Sequence, residues 1–377
     1  MKGGARTMEL ADRLRFARGK AGLTLKDVEE RTGIGPSSLS EYENGKREPK
    51  VAQLARLASA YHRSMGFFLD SGPIPAEVVL WRERPEGGAA AEVEGQFRLL
   101  CEQYHVLEVA CDDVRRAALP AIGGREEVAG FRQAERLAYR THQALGLGER
   151  PGPELLRVLE EVCGIKVFHL SFAPTGTAAC TVDPSFGPAL LLNRENARWR
   201  RNFDLAHELY HLITWGAFRE GNATGGSEVV AEDEEKWANC FASALLMPTE
   251  AVRGAVDEAV REECIRFADL ADIARGFDVS IEALVWRLVG LRVFEAQRAK
   301  DLLQRFKANA ELWDKQRARD DPPERPERFR ALAVRALREG RLSIGRCAEY
   351  LGIDRSEAMR IAEEEVPDDD PIPVGDS

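Results

Sequence analysis

Apolar positions recur with a helical period along residues 8–70, and Gly22, Gly33 and Gly45 close the first three periodic segments. LADRLRFARGKAG places Leu10 and Leu14 on one face and ends at Gly22, after which Thr24 is a typical helix cap. Three further short patterns follow, of which SSLSEYENG is preceded by Pro36 at a position where a first-turn proline is tolerated. The pattern predicts an all-helical unit of five short helices.

The rest of the chain changes character several times. Residues 71–92 are rich in Pro, Gly and Ala and are typical of a flexible linker. GIKVFHLSF, TAACTV and PALLLN predict short strands, and residues 198–250 return to a helical pattern. Residues 266–291 and 341–363 each resemble two helices joined by a turn, and we favour scaffold or dimerisation roles for both.

Composition narrows the classes of protein that need consideration. The formal net charge is −10, but residues 8–70 hold eleven Lys and Arg against nine Asp and Glu, a balance of +2 that leaves −12 for the rest. A local DNA-reading unit on an acidic body is therefore compatible with the charge. Seven scattered cysteines without a C-x-x-C pair fit a reducing cytoplasm, and neither a long apolar run nor a secretory signal is evident.

FDLAHELYHLI, residues 203–213, carries the main candidate chemistry. His207 and His211 stand four apart and share one face of a helix, so both imidazoles can bind a single Zn²⁺ ion. Glu208 lies beside them and can act as general base toward a water molecule. A five-residue pattern also arises by chance, and a catalytic zinc site needs a third protein ligand.

EDEEKWANCFASALLMP, residues 232–248, offers that third ligand. Glu235 lies on one helical face with Ala238 and Asn239, and a buried glutamate there needs a positive partner. Surface charge is the alternative interpretation of Glu235. Asp233 and Glu234 are expected to belong to a solvated acidic run.

The two segments together resemble the ImmA/IrrE family of metallopeptidases, through RRNFDLAHELYHLI and EKWANCFASALLMP over roughly residues 150–292. The resemblance implies an α+β gluzincin-like core, in which a short mixed sheet packs on the two zinc helices. It also implies one Zn²⁺ per chain held by His207, His211 and Glu235, with Glu208 as the catalytic base.

Three residues near this motif raise separate questions. Tyr210 stands where the family commonly has Gly, and Asp204 where Thr is usual; a tyrosine at that position is expected to narrow the cleft. Cys180 lies upstream in the strand region. We favour a buried strand residue there over a thiolate in the fourth zinc position.

The first 70 residues resemble the XRE family of helix-turn-helix domains, of the lambda-repressor type. The matching segments are G-L-T, G-I, L-S-x-Y-E-N-G-x-R-x-P and the closing L-A-x-x-Y. Such a domain sets its third helix in the major groove of DNA, although a protein-binding module is the alternative. The candidate DNA contacts are Pro36, Ser37, Ser38, Ser40, Glu41, Lys46, Arg47 and Lys50. Glu41 also fits a charge pair within the domain.

The combined prediction is a multidomain, mainly α protein. Its predicted parts are a helix-turn-helix domain at 8–70, a linker at 71–92, a metallopeptidase domain at 93–292, a helical region at 293–365 and a disordered acidic tail at 366–377. The resemblances imply a cytoplasmic DNA-binding zinc metallopeptidase that acts in stress, phage or mobile-element responses. They imply operator DNA and a repressor-like protein substrate as partners, with a homodimer as an open option and no membrane. The rival prediction is a transcriptional regulator whose zinc domain senses a ligand without cleaving.

Overall fold

A computed structural model describes residues 9–72, 77–86, 88–115, 119–219, 228–261, 264–316 and 320–363. Its first five helices form one unit around a core of their own. They are α1 (Leu10–Lys20), α2 (Leu25–Thr32), α3 (Pro36–Glu43), α4 (Val51–Ala60) and α5 (Met65–Leu69). The prediction of five short helices is confirmed.

Local signals set the ends of these helices. The Thr24 side chain accepts a hydrogen bond from the Asp27 backbone N–H at 3.2 Å, and the Asp27 carboxylate accepts one from the Thr24 N–H at 2.7 Å. This reciprocal capping box starts α2. Gly33 ends it with a φ of 68°, a left-handed conformation that glycine adopts without strain.

The described residues of the larger remainder form thirteen further helices, with a 3₁₀ turn at Arg125–Glu127 between α6 and α7. The helices before the second zinc-motif segment are α6 (Gly88–Ala110), α7 (Phe131–Ala144), α8 (Gly152–Arg157, continued by a π-helix at Val158–Val162), α9 (Arg198–Ile213) and α10 (Trp215–Arg219). Those that follow are α11 (Glu232–Leu246), α12 (Thr249–Ala259), α13 (Phe267–Gly276), α14 (Ile281–Gly290), α15 (Ala296–Gln316), α16 (Glu327–Arg338), α17 (Ile344–Leu351) and α18 (Arg355–Glu363). Among the described residues, no helix has the length and apolar character needed to cross a bilayer.

A five-stranded mixed sheet runs through this remainder in the order β2-β4-β3-β1-β5. The strands are β1 (Leu80–Trp81), β2 (Lys166–Leu170), β3 (Ala178–Asp183), β4 (Gly187–Asn193) and β5 (Glu228–Val229). β3 and β4 are antiparallel, β2 runs parallel to β4, and β1 joins β3 antiparallel and β5 parallel. The predicted short mixed sheet is therefore present.

Strand alternation divides the buried side chains between two cores. Cys180, Leu190 and Leu192 face one side of the sheet, whereas Ala179 and Leu191 face the other. α9 and α11 cover the first side, and α6 and α16 cover the second. Since both faces are covered by helices, β1, β2, β3 and β4 are buried almost throughout.

The two predicted helix pairs at 266–291 and 341–363 both pack in the cores around the sheet. α13 and α14 contribute Leu270 and Leu284 to the same core as the zinc-motif helices, so residues 266–291 pack with that domain. Cys347 of α17 and Ile361 of α18, within the predicted pair at 341–363, pack in the core on the second face of the sheet. The predicted acidic tail lies outside the described residues.

The expectation of a flexible linker over residues 71–92 is wrong for its described part. Leu80 and Trp81 are fully buried in the sheet, and the Trp81 indole donates a hydrogen bond to Glu94 at 2.7 Å. The Pro, Gly and Ala residues on either side made this short apolar strand difficult to predict from composition. Because β1 is paired on both sides within the sheet, the position of the chain between the two predicted domains is fixed there.

The helix-turn-helix unit is docked on the larger remainder through charged side chains. Arg63 makes a bidentate pair with Glu77 at 2.8 and 2.9 Å, and both side chains are almost fully buried. Glu77 also lies 3.7 Å from Arg98 of α6, which pairs with Asp183 at 2.6 Å. This buried charge network joins the loop between α4 and α5, the segment before β1, α6 and the sheet.

Candidate metal centre

His207 and His211 project from α9 toward one side chain of α11. The two Nε2 atoms are 3.3 Å apart, and both histidines are buried. Glu235 Oε2 lies 3.2 Å from His207 Nε2, and Glu235 Oε1 lies 3.5 Å from His211 Nε2. The structure thus brings together the three ligands predicted from the sequence.

Close packing of α9 on α11 makes this convergence possible. Ala238 and Ala242 of α11 are fully buried, and their small side chains let the helices approach. Phe241 and Leu209 fill the adjoining core on the same side of the sheet. The face of α11 that carries Glu235 and these alanines is therefore the face toward the histidines.

A second set of side chains orients the two imidazoles. Asn239 Oδ1 lies 3.1 Å from His207 Nδ1, and Glu234 Oε1 lies 2.9 Å from His211 Nδ1. Glu234 is held in turn by Arg219 at 2.7 and 3.1 Å. Such contacts fix the imidazole tautomer and leave the Nε2 lone pairs directed at a common point.

The expectation that Glu234 belongs to a solvated acidic run is wrong. Glu234 is only 5% exposed. Its neighbours in the acidic run, Glu232 and Asp233, are exposed and pair with Lys236. The difference arises because Glu234 faces His211 and Arg219, which together supply the positive partners that a buried carboxylate requires.

The donor set fits a zinc ion. Within the described ranges, His207, His211 and Glu235 form a group whose candidate ligand atoms all lie within 4.8 Å of one another. Glu235 Oε1 is buried without a hydrogen-bond partner in the described structure. Two imidazoles and one carboxylate are a common ligand set for catalytic zinc with an open fourth position.

Glu208 lies on the same helix and is enclosed by the protein. It is 1% exposed, its Oε1 has no hydrogen-bond partner in the described structure, and the Cys180 thiol lies close to its carboxylate. Burial raises the pKa of Glu208 to about 7. A carboxyl group with such a pKa can both take up and release a proton near neutral pH.

Cys180 lies on β3 as a fully buried residue, as favoured from the sequence. Burial raises the pKa of its thiol well above the usual value, so the group stays protonated. Its contact is with Glu208, and it does not belong to the group of candidate metal ligands found in the described residues.

The ionisation of the ligands suits cation binding. Burial lowers the pKa of His207 to about 4, which leaves a neutral imidazole. Although burial opposes it, the imidazoles of both nearby histidines lower the pKa of Glu235 and keep it an anion. Burial also opposes protonation of His211, but its hydrogen bond to Glu234 and the nearby Glu235 carboxylate raise its pKa to about 9. A bound cation would replace that proton.

The two departures from the family motif have explanations in the structure. Tyr210 points into the core and donates a hydrogen bond to the Val128 carbonyl at 3.0 Å, so the expectation that it narrows a cleft is wrong. Asp204 is buried and paired with Arg200 at 3.0 Å and with Asn196 at 3.0 Å.

Sequence reasoning missed three members of this region. Arg219 follows the first motif helix, and its two bonds to Glu234 depend on how α10 turns back. Asn239 was placed on the correct helical face but was given no role. Arg82, from the supposed linker, lies 3.9 Å from Glu235 Oε2 and had no local signal at all.

The predicted DNA contacts lie around α3 and the loop that follows it. Pro36, Ser37, Lys46, Arg47 and Lys50 are exposed.

Ser38, Ser40 and Glu41 are partly exposed. Glu41 lies 3.8 Å from Arg47, so the charge pair within the domain is present, although both side chains stay accessible. The surface therefore offers short polar side chains at the start of α3 and cations just beyond its end.

Fold and site together define a helix-turn-helix regulator joined to a metallopeptidase-like domain. Residues 160–289 match a peptidase family model described as IrrE N-terminal-like domain, and residues 9–65 match a model described as helix-turn-helix domain. The chain carries an XRE-type helix-turn-helix domain fused to a domain of the ImmA/IrrE family.

One curated relative is the HTH-type transcriptional regulator ImmR of Bacillus subtilis (strain 168). It is 40% identical over 62 residues, which are 16% of this chain and 49% of the relative, so the chain spans about half of that protein. The crystal structure of Bacillus thuringiensis PlcR in complex with the peptide PapR7 and DNA aligns over 94% of this chain and 91% of that one. Its identity is 12% and its TM-score 0.16, so this similarity carries no argument.

Proposed function

We propose that the protein is a cytoplasmic, DNA-binding, zinc-dependent metallopeptidase that hydrolyses a peptide bond in a regulatory protein. The observation that carries the proposal is the position of Glu208. It lies next to two ligand histidines with one carboxylate oxygen free of hydrogen bonds in the described structure. A pure metal-binding site has no need of a buried carboxyl group at that position.

In the proposed reaction, bound Zn²⁺ supplies Lewis acidity, which lowers the pKa of water and polarises a carbonyl group. Glu208 accepts a proton from the attacking water while the water oxygen adds to the peptide carbonyl carbon. When the C–N bond breaks, Glu208 returns that proton to the leaving amine. Asn239 and Glu234 hold the imidazoles of His207 and His211 in place throughout.

The proposed substrate is a helix-turn-helix repressor or a similar regulator, in stress, phage or mobile-element control. The XRE-type domain supports binding of operator DNA, and a homodimer would let two such domains read paired half-sites. A flexible tether that brings the peptidase to its substrate is not part of this proposal, because β1 is built into the sheet.

The rival function is that of a regulator which senses a ligand at the zinc domain and cuts nothing. The burial of His207 and His211 favours it, since a protein substrate needs access to the metal. The partial exposure of Glu235, at 19% of its side chain, leaves one side of the site accessible.

The deciding experiment compares the wild type with E208Q, which removes the proton acceptor and leaves every proposed zinc ligand in place. Candidate repressors encoded by neighbouring genes are incubated with each protein, and products are analysed by mass spectrometry. We expect cleavage by the wild type and none by E208Q at equal zinc content. Cleavage retained in E208Q would contradict the role of Glu208, and the absence of cleavage of every neighbouring regulator would favour the sensor.

A further inference from the structure

Arg82 reaches the candidate metal centre from outside the two motif helices. It directly follows β1, whose register on β3 pairs Leu80 with Cys180 and Trp81 with Ala179. The Arg82 backbone N–H donates to the Ala178 carbonyl at 3.4 Å, which continues this pairing by one residue. The backbone of Arg82 is thus fixed by the sheet.

The guanidinium of Arg82 makes three contacts, and all are long. It lies 3.4 Å from Asp204 Oδ1, 3.4 Å from Asn239 Oδ1 and 3.9 Å from Glu235 Oε2. Good charge-assisted hydrogen bonds are about 2.7–2.9 Å long. Since a guanidinium carries five N–H donors, Arg82 retains donor capacity beside the proposed zinc ligand.

The charge of Asp204 does not explain why the Arg82 guanidinium lies beside the candidate metal ligands. Asp204 already accepts from Arg200 at 3.0 Å and from the Asn196 side chain at 3.0 Å. Both of these contacts are shorter than the contact with Arg82. Loss of Arg82 would therefore leave Asp204 with its two stronger partners.

Exposure indicates the side from which a substrate arrives. His207, Glu208 and His211 are at most 1% exposed, whereas the side chains of Arg82 and Glu235 are 24% and 19% exposed. Within the described part of the site, the accessible surface therefore includes part of the Arg82 side chain. A peptide that reaches the metal from this side passes along that side chain.

We propose that Arg82 is a further catalytic residue, which donates a hydrogen bond to the carbonyl oxygen of the scissile peptide as that oxygen gains negative charge. This inference rests on the proposed peptidase function. Arginine stays protonated throughout, so no proton is transferred and no bond to Arg82 forms or breaks. A donor already in place in a partly buried site stabilises such an oxyanion strongly.

The segment that carries Arg82 also connects the candidate metal centre to the helix-turn-helix unit. Glu77, five residues earlier, is held by Arg63 of the helix-turn-helix unit. The segment that supplies the donor is therefore anchored at one end in the DNA-binding domain and at the other in the sheet.

The test uses full-length protein loaded with Co²⁺, whose visible absorption reports anions that bind the metal. Acetohydroxamate, a small anionic ligand with a carbonyl oxygen, serves as the probe, and no protein substrate is needed. The variants are R82A, R82K, and R84A as the matched control. Arg84 lies two residues further along the same segment and pairs with Glu94 at 3.1 Å, away from the metal ligands.

We expect R82A to keep its Co²⁺ and to bind acetohydroxamate about tenfold more weakly, the loss of one charge-assisted hydrogen bond. R82K should lie between R82A and the wild type, and R84A should match the wild type. Wild-type affinity in R82A, or a Co²⁺ content in R82A below that of R84A, overturns the role of Arg82. Failure of the wild type itself to bind Co²⁺ would instead remove the proposed metallopeptidase function.

Discussion

The helix-turn-helix unit and the candidate metal centre present their predicted functional residues in opposite ways. In the first, Ser37, Lys46 and Arg47 lie on a surface around one short helix. In the second, side chains from α9, α11 and the segment after β1 meet in a nearly closed space. The first surface therefore depends on local helix signals, whereas the second depends on the packing of distant segments.

The largest expected effect is loss of metal on removal of a proposed ligand. E235A takes away the carboxylate that joins the two imidazoles, and we expect zinc content after dialysis to fall to near zero. E232A is the matched control, because Glu232 lies on the same helix and is 86% exposed. Retained zinc in E235A would contradict the ligand set, and equal losses in both variants would contradict the register of α11.

How far the sequence could predict each region follows from this contrast. The Thr24 cap and the Gly33 stop are local signals, and the four-residue spacing of His207 and His211 requires only a helix. Glu235 was identified by the alanine face of its helix. All these predictions depend on residues within a few turns of one another.

The missed residues depend on contacts between distant segments. Nothing local distinguishes Glu234 from the other acids of EDEE, because its burial depends on where Arg219 lies after the turn into α10. Arg82 reaches the site only because β1 pairs with β3. Composition also misled there, since the residues around Leu80 and Trp81 resembled a linker.

The next effect in size concerns Glu234, which the sequence predicts to be solvent-exposed and the structure shows buried. E234A leaves His211 Nδ1 without its carboxylate partner, and we expect zinc affinity to fall about 10- to 100-fold. Competition with a fluorescent zinc chelator measures the change. D233A is the control, since Asp233 is exposed and pairs only weakly with Lys236 at 3.4 Å. Equal zinc affinities in E234A and D233A would contradict a role for Glu234 in orienting His211.

A smaller effect is expected on the DNA surface, where each contact is exposed and replaceable. K46A and R47A should each weaken binding to a random-sequence duplex of about 30 base pairs. They should each reduce the slope of log K against log[salt] by about one. Fluorescence anisotropy at several salt concentrations measures both quantities. K307A removes the same charge from exposed α15 and serves as control; a wild-type slope in K46A and R47A would favour a protein-binding module.

The smallest effect tests whether the two regions are separate folding units. T24A removes the cap of α2, and S280A removes the matching cap of α14, where Ser280 accepts from the Ala283 N–H at 3.0 Å. Each change should cost about 1 kcal/mol in the free energy of unfolding of its own region. Because the helix-turn-helix unit has its own core, we expect each cost to stay in one region.

All six tryptophans lie outside residues 8–70, so tryptophan fluorescence follows the metal-binding region alone, whereas far-ultraviolet circular dichroism follows both. T24A should shift only the dichroism curve in urea, and S280A should shift the fluorescence curve. If T24A moves the fluorescence midpoint as far as S280A does, the domains unfold as one unit. The buried Arg63–Glu77 pair would then join them energetically, and the contrast between an independent DNA surface and a separate metal centre would no longer hold.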